Sequence, residues 1–221
     1  MADLIRAVLF DVDGTLVDSN YLTTVAWWEA FAQAGHDVPM ARIHRGIGMG
    51  ADQMLGEVLP ADRDQAEDSN IIAAHAALYS VYWSRLRPLP GAVALLRACH
   101  DRGLRVVLAS SAGPREIEVL RAALDADDAI DEVTSAGEVD TSKPAPDLVQ
   151  VALEKAETGP GEAVFVGDAV WDAQACGRAG VSCVGVLSGG ISEAELREAG
   201  AVRVFGGPAE LLAAFPDGLL G

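Results

Sequence analysis

Lysine is nearly missing from this chain of 221 residues, occurring only as Lys143 and Lys155. Lys and Arg together number 16 against 33 acids, a formal net charge of -17. A chain so negative disfavours nucleic acid or an anionic membrane as partner, because either would need clustered positive charge to bind. An anionic ligand must find its positive charge locally, so each lysine repays separate attention. Cysteine is scarce too. Cys99, Cys176 and Cys183 are odd in number, widely spaced and set among apolar or small residues, a pattern of buried thiols in a reducing compartment. It is not the pattern of a disulfide framework or a cysteine metal site. No apolar run approaches the ~20 residues of a membrane span. The short apolar segment near Met1 runs into an aspartate without the features of a signal peptide. The expectation is a soluble cytoplasmic protein, a monomer or small homo-oligomer, without nucleic-acid or membrane partners.

Half of the residues are hydrophobic, enough for one sizeable core or a core plus a second lobe. Short β-branched runs at Ala7 to Phe10, Arg105 to Ala109, Ala163 to Val166, Ser182 to Leu187 and Val202 to Phe205 alternate with segments at helical spacing, and a weaker strand is expected near Glu132 to Ser135. Strands apolar along their whole length are covered on both faces, which predicts an α/β fold with a parallel sheet between helices. One region breaks the alternation. Between Val17 and Pro88 only helical patterns occur, with Tyr21, Val25, Trp28 and Ala32 expected on one face and Ile71, His75, Leu78 and Tyr82 on another. Asp18-Ser19 reads as a helix N-cap, and Pro88-Leu89-Pro90-Gly91 as a stiff return linker. The expected division is a core of residues 1–17 and 89–221 and an inserted all-helical unit of residues 18–88.

Ligands of an open parallel sheet bind beyond the carboxyl ends of its strands. The first strand is followed there by Asp11-Val12-Asp13-Gly14-Thr15, and the next by Ser110-Ser111. Lys143-Pro144 precedes a later helix, and Gly167-Asp168, with Asp172 beyond, follows the run VFV. Each has an ordinary reading: Asp11 as a turn residue, Ser110, Asp168 and Asp172 as helix-end residues, Lys143 as a solvated charge. Capping, however, requires neither a lysine nor paired carboxylates at one sheet edge.

The segments FDVDGTLVDS, LASS ending at Ser110-Ser111, KPAPD and GDAVWD resemble, in order, the four motifs of the haloacid dehalogenase superfamily. The helical insertion after the first motif and the segment SGGISEAELREAGA resemble its phosphoglycolate phosphatase and β-phosphoglucomutase-like branch, with a small helical cap on a Rossmann-like core. The resemblance implies a phosphatase of small phosphorylated metabolites. Asp11 would be the nucleophile, forming an aspartyl phosphate, and Asp13 the general acid and then the base. Mg²⁺ would be held by the Asp11 side chain, the Asp13 carbonyl and Asp168, with Asp172 behind them. Ser110 and Ser111 would contact phosphoryl oxygens, and Lys143 would offset charge on the phosphate and on Asp11.

Within the superfamily, the dehalogenases lack an acid at the place of Asp13, and the phosphonate-cleaving members use a cap lysine where residues 18–88 have none. Phosphosugar mutases of the β-phosphoglucomutase type remain the alternative. Thr23 stands where their cap histidine would, yet Arg42 and Arg45 can hold a second anionic group. The run RIHRGIGMG, residues 42–50, reads either as a specificity loop with Arg45 or His44 facing the leaving group or as a plain turn between helices. His36, His75 and His100 read as ordinary structural residues, and Trp27, Trp28 and Trp83 as core of the helical insertion.

Overall fold

The computed structural model describes residues 5–215. Its strands are β1 (Ala7–Phe10), β2 (Arg105–Ala109), β3 (Glu132–Thr134), β4 (Ala163–Gly167), β5 (Ser182–Val186) and β6 (Ala201–Phe205). All pair in parallel in the order β3-β2-β1-β4-β5-β6. The chain winds outward from β1 in one direction and from β4 in the other, so the carboxyl ends of β1 and β4 flank the topological switch point, the crevice where such sheets bind ligands.

Ten α-helices complete the described chain: α1 (Asn20–Gln33), α2 (Met40–Gly46), α3 (Ala51–Val58), α4 (Asp68–Ser80), α5 (Ala92–Asp101), α6 (Pro114–Leu124), α7 (Asp147–Lys155), α8 (Val170–Ala179), α9 (Glu193–Ala199) and α10 (Pro208–Ala214). The period-2 geometry of a strand sends alternate residues of β1 to opposite faces. Val8 and Phe10 join Leu95, Leu120 and Leu211 from α5, α6 and α10. Ala7 and Leu9 join Leu148, Val149 and Cys176 from α7 and α8. All four β1 residues are fully buried, which is why the run carries no polar residue. No described helix is long and apolar enough to cross a membrane, and the three cysteines are free and buried.

Between β1 and α5 every regular element is helical, and α1 to α4 close on an apolar cluster of their own containing Trp27, Phe31, Ile43, Met54 and Ile71. The face of α1 differs from the expectation. Tyr21 and Trp28 are exposed, while Thr23, Thr24, Trp27, Ala30 and Phe31 are buried. The helix is apolar on several sides, so packing of Trp27 and Phe31 chooses the inward face and periodicity alone does not. In α4 the buried residues are Ile71, His75 and Tyr79. The two connections into this helical layer run side by side: Asp18 N–H donates to Arg87 O at 2.9 Å, and Leu89 N–H to Leu16 O at 2.8 Å. Ser19 occupies the N-cap of α1 without capping it; its hydroxyl donates to Asp13 Oδ1 at 2.5 Å instead.

Candidate active site

The backbone turns sharply where β1 ends. Asp11 N–H still donates to Val166 O of β4 at 2.9 Å, and Gly14 N–H folds back onto Val17 O at 2.8 Å. Gly14 has φ of +71°, and a Cβ there would lie 2.3 Å from Asn20 Nδ2 and 2.5 Å from Asp168 Oδ2. Only glycine satisfies both the left-handed backbone and the close approach. The turn brings Asp11 and Asp13 to the sheet edge where β2 delivers Ser110 and β4 delivers Asp168.

Lys143, fully buried, joins them from the loop before α7. Its ammonium donates to Asp11 Oδ1 and to Asp172 Oδ1, each at 2.7 Å. Burial works against that charge, but Asp11 and Asp172 outweigh it and hold the ammonium above its ordinary pKa. Asp172 Oδ2 accepts from Ala169 N–H at 3.0 Å at the start of α8, so Asp172 both caps a helix and anchors the lysine. Asp168 accepts from Thr15 Oγ1 at 2.9 Å and from Asn20 Nδ2 at 2.8 Å, contacts that fix its carboxylate from the first turn and from α1.

Four carboxylates thus share one ammonium. Burial lifts the Asp11 pKa well above the carboxylate range against the pull of Lys143, and it raises Asp13 against the Ser19 hydrogen bond. Burial and then the neighbouring Asp172 push Asp168 up to about 7. Asp11, Asp168 and Asp172 place ligand oxygens within 4.8 Å of one another. A donor set made only of carboxylate oxygens, short of positive charge, suits a hard divalent cation and offers nothing to a soft one.

Asp11, Asp13 and Ser110 line one end of a cavity of about 410 Å³, within the ~300–1,000 Å³ range of small-molecule sites. Ser110 Oγ accepts from Ala112 N–H at 3.0 Å, so it does not cap α6, whose N-cap is Gly113. Ser111 turns to the helical layer, its hydroxyl donating to Gly48 O at 3.3 Å. The opposite walls come from that layer: Ile47, Gly48 and Met49 between α2 and α3, with Thr23, Trp27 and His75.

Arg45 and His44 do not face this cavity. The Arg45 guanidinium pairs with Glu195 of α9, its carbonyl accepts from Trp171 Nε1 at 2.8 Å, and His44 Nε2 is hydrogen-bonded to Gly189 O at 2.8 Å. Residues 44 and 45 sit in the last turn of α2, on the side that faces the sheet edge around α8 and α9, and the backbone just beyond them lines the cavity.

Two further residues line it, one of them a histidine expected to be structural. His75 stacks on Trp27 with ring centroids 3.8 Å apart, and its Nε2 is hydrogen-bonded to Thr23 Oγ1 at 3.0 Å. Burial drags its pKa down to about 3, so the imidazole is neutral. The second is Glu116, in the first turn of α6. Burial, followed by the charge of Asp13, pushes its pKa up to about 8. The pairing of Thr23 with His75 across α1 and α4 has no local signature in sequence.

A protein-family model described as haloacid dehalogenase-like hydrolase matches residues 5–180. The phosphoglycolate phosphatase of Nitrosospira multiformis is 31% identical over 189 residues, covering 81% of this chain and 83% of that protein. Protein SUPPRESSOR OF QUENCHING 1, chloroplastic, of Arabidopsis thaliana is 31% identical over 203 residues, 89% of this chain, but the chain spans only 19% of that protein's length. Among solved structures, a hydrolase from Pseudomonas syringae superimposes with a TM-score of 0.91 at 34% identity, covering 96% of this chain and 98% of that one. The match over residues 5–180 and the likeness of both sequence and fold make the conclusion plain: the chain belongs to the haloacid dehalogenase-like hydrolase family.

Proposed function

We propose that this hydrolase is a Mg²⁺-dependent phosphatase of small phosphorylated metabolites, working through an aspartyl phosphate on Asp11. The observation that carries the reading is that Asp11, Asp13 and Ser110 line one end of a cavity while Lys143 is bonded to Asp11 behind it. A cavity of this size suits a metabolite and not a polymer.

Asp11 supplies the nucleophilic oxygen: its P–O bond forms as the bond from phosphorus to the leaving alcohol breaks. Asp13 gives its carboxyl proton to the departing alkoxide, and burial, by raising its pKa, favours the protonated form this step needs. Asp13, now a carboxylate, takes a proton from water as the water oxygen attacks phosphorus. The bond to Asp11 then breaks and inorganic phosphate leaves. Lys143 steadies Asp11 and offsets charge on the transferring group. Ser110, at the same end of the cavity, offers a hydroxyl to a phosphoryl oxygen; Ser111, turned to Gly48, contributes through its place beside it. Asp11 and Asp168, with the Asp13 carbonyl and Asp172 next to them, would hold the cation, which when bound neutralises the phosphate as it approaches these carboxylates.

In this reading residues 1–17 and 89–221 are the catalytic core and residues 18–88 a helical cap over it; residues 1–4 and 216–221 of that core lie outside the described residues. Hydrolysis is favoured over mutase chemistry because among the described residues no Lys or Arg lines the cavity, whereas a sugar bisphosphate needs a second cationic anchor. The test is phosphate release from a panel of phosphorylated metabolites by wild type and Asp11→Asn with Mg²⁺. Turnover by wild type alone is expected, and retained activity in the variant would sink the mechanism.

A further inference from the structure

The segment SGGISEAELREAGA begins, just beyond β5, with three residues wedged between Asp168 and the helical layer. Ser188 Oγ donates to Gly14 O at 2.7 Å and ties the loop to the turn after β1. Gly189 is buried with its backbone laid on Asp168, since a Cβ there would stand 1.6 Å from Asp168 Oδ2. Gly190, with φ of +90°, meets the helical layer instead: a Cβ would lie 2.9 Å from the Tyr21 hydroxyl and 3.1 Å from the His44 ring. No side chain fits at either place without displacing a neighbour. The Gly189 carbonyl then collects two donors from the helical layer. His44 Nε2 reaches it at 2.8 Å and, because a carbonyl only accepts, must carry the hydrogen. Asn20 Nδ2 lies 3.4 Å from the same oxygen and donates to Asp168 Oδ2 at 2.8 Å. Tyr21 stacks on the His44 ring, centroids 5.0 Å apart and planes 8° from parallel. One carbonyl therefore joins α1, α2 and the acid beyond β4.

We propose that His44 is a positioning residue for the cation site, acting from outside the cavity through the Gly189 carbonyl on Asn20 and Asp168. The inference rests on the reading of Asp168 as a cation ligand and of residues 18–88 as a cap, and goes beyond it by linking the two. Asp168 has two side-chain donors, Thr15 from the turn after β1 and Asn20 from α1. The second is held in place while α1 and α2 are seated on the loop of residues 188–190. Without the His44 ring, the Gly189 carbonyl keeps among the described residues only its long contact to Asn20. The Asn20 amide is then drawn between that oxygen and Asp168. The Asp168 carboxylate loses its fixed direction, and with it part of its affinity for a cation, because ligands are aimed by the groups behind them. Linkage makes the effect mutual: the factor by which the seated layer raises cation affinity is the factor by which a bound cation favours the seated layer.

The test measures Mg²⁺ binding to the substrate-free protein by titration calorimetry for wild type, His44→Ala, His44→Gln and Arg45→Ala. His44→Ala should raise the Mg²⁺ Kd by about five- to tenfold, less than the ~10–100-fold typical of a residue bonded directly to a ligand. His44→Gln, whose amide keeps an N–H donor near the place of Nε2, should recover most of the loss. Arg45→Ala, which frees the same turn of α2 from Glu195, should stay within about twofold of wild type because that pair is exposed. The reciprocal arm is hydrogen–deuterium exchange. Mg²⁺ should slow exchange across residues 40–50 in wild type and do so less in His44→Ala. A wild-type Kd in His44→Ala, an equal loss in Arg45→Ala, or exchange at residues 40–50 indifferent to Mg²⁺ in wild type overturns the inference. Mg²⁺ binding by wild type in that case leaves the cation site of the phosphatase reading standing. No binding by wild type brings both down.

Discussion

Lys143 and Asp11, 132 positions apart in the chain, meet in a fully enclosed ion pair with Nζ 2.7 Å from Oδ1. The same ammonium holds Asp172 at 2.7 Å, so one lysine bridges two buried acids, one just beyond β1 and one in the first turn of α8. Removing it leaves both carboxylates without their cation, and Asp172 with only its bond from Ala169 N–H. Lys143→Met should lower the unfolding free energy of the metal-free protein by about 3–5 kcal/mol. Chemical denaturation reports the loss, and kcat should fall by ~10²-fold or more as charge on the transferring group goes unmet. Unchanged stability would mean that the three groups are not a charged cluster.

Asn20 and Thr15 aim Asp168 without touching a substrate. Loss of the amide in Asn20→Ala frees Asp168 Oδ2 and leaves the carboxylate to rotate about its remaining bond to Thr15. The expected effect is a rise of about 10–100-fold in the Mg²⁺ concentration giving half-maximal activity. The rate at saturating Mg²⁺ should change far less. A loss of kcat with no change in metal dependence would contradict the positioning role assigned to Asn20.

The parallel sheet was legible because residues buried on both faces of a strand leave no polar positions, as in AVLF of β1. Asp11, Ser110 and Asp168 were legible because each directly follows such a run. The cavity walls facing the helical layer were not. Thr23, Trp27 and His75 meet only through packing of α1 against α4, and each alone looks like ordinary helix interior. Arg45 was misleading for the opposite reason: a cation beside glycines suggests an anion site, but its neighbour Glu195 lies 150 positions away. Ser19 fits the N-cap pattern, and its hydroxyl serves Asp13 instead.

The neutral state of His75 has a consequence for acid stability. Its folded pKa lies near 3, below the ordinary 6.5, because burial penalises the imidazolium. Above pH 6.5 the ring is neutral both folded and unfolded, and it costs nothing. As pH falls from 6.5 towards 3 the unfolded chain takes up a proton that the folded protein refuses, so stability drops by up to about 1.4 kcal/mol per pH unit. His75→Phe keeps an aromatic ring against Trp27 and removes the titration. Its unfolding free energy between pH 6.5 and 4 should fall less steeply than that of wild type. Parallel acid limbs for the two proteins would show that His75 is not the group being titrated.

Arg45 separates two pictures of the segment around residues 42–50. If its guanidinium met the leaving group, truncation would cost a charged contact to substrate, and KM would rise by two orders of magnitude or so, about 2.7 kcal/mol. The geometry gives it a different partner. Its pairing with Glu195 is largely solvent-exposed, 61% and 35% for the two side chains, and exposed pairs contribute only about 0–1 kcal/mol. The attachment of α2 to the core also has the bond from Trp171 Nε1 to the Arg45 carbonyl and that between His44 and Gly189, neither of which needs the Arg45 side chain. Arg45→Ala should therefore change kcat/KM by less than about fivefold, the equivalent of about 1 kcal/mol. Trp171→Phe, which removes the indole donor to the Arg45 carbonyl at the same solvent-exposed junction, should likewise change kcat/KM by less than about fivefold, because water can take the donor's place. A hundredfold rise in KM for Arg45→Ala would place that side chain on the substrate and refute its assignment to the outer junction.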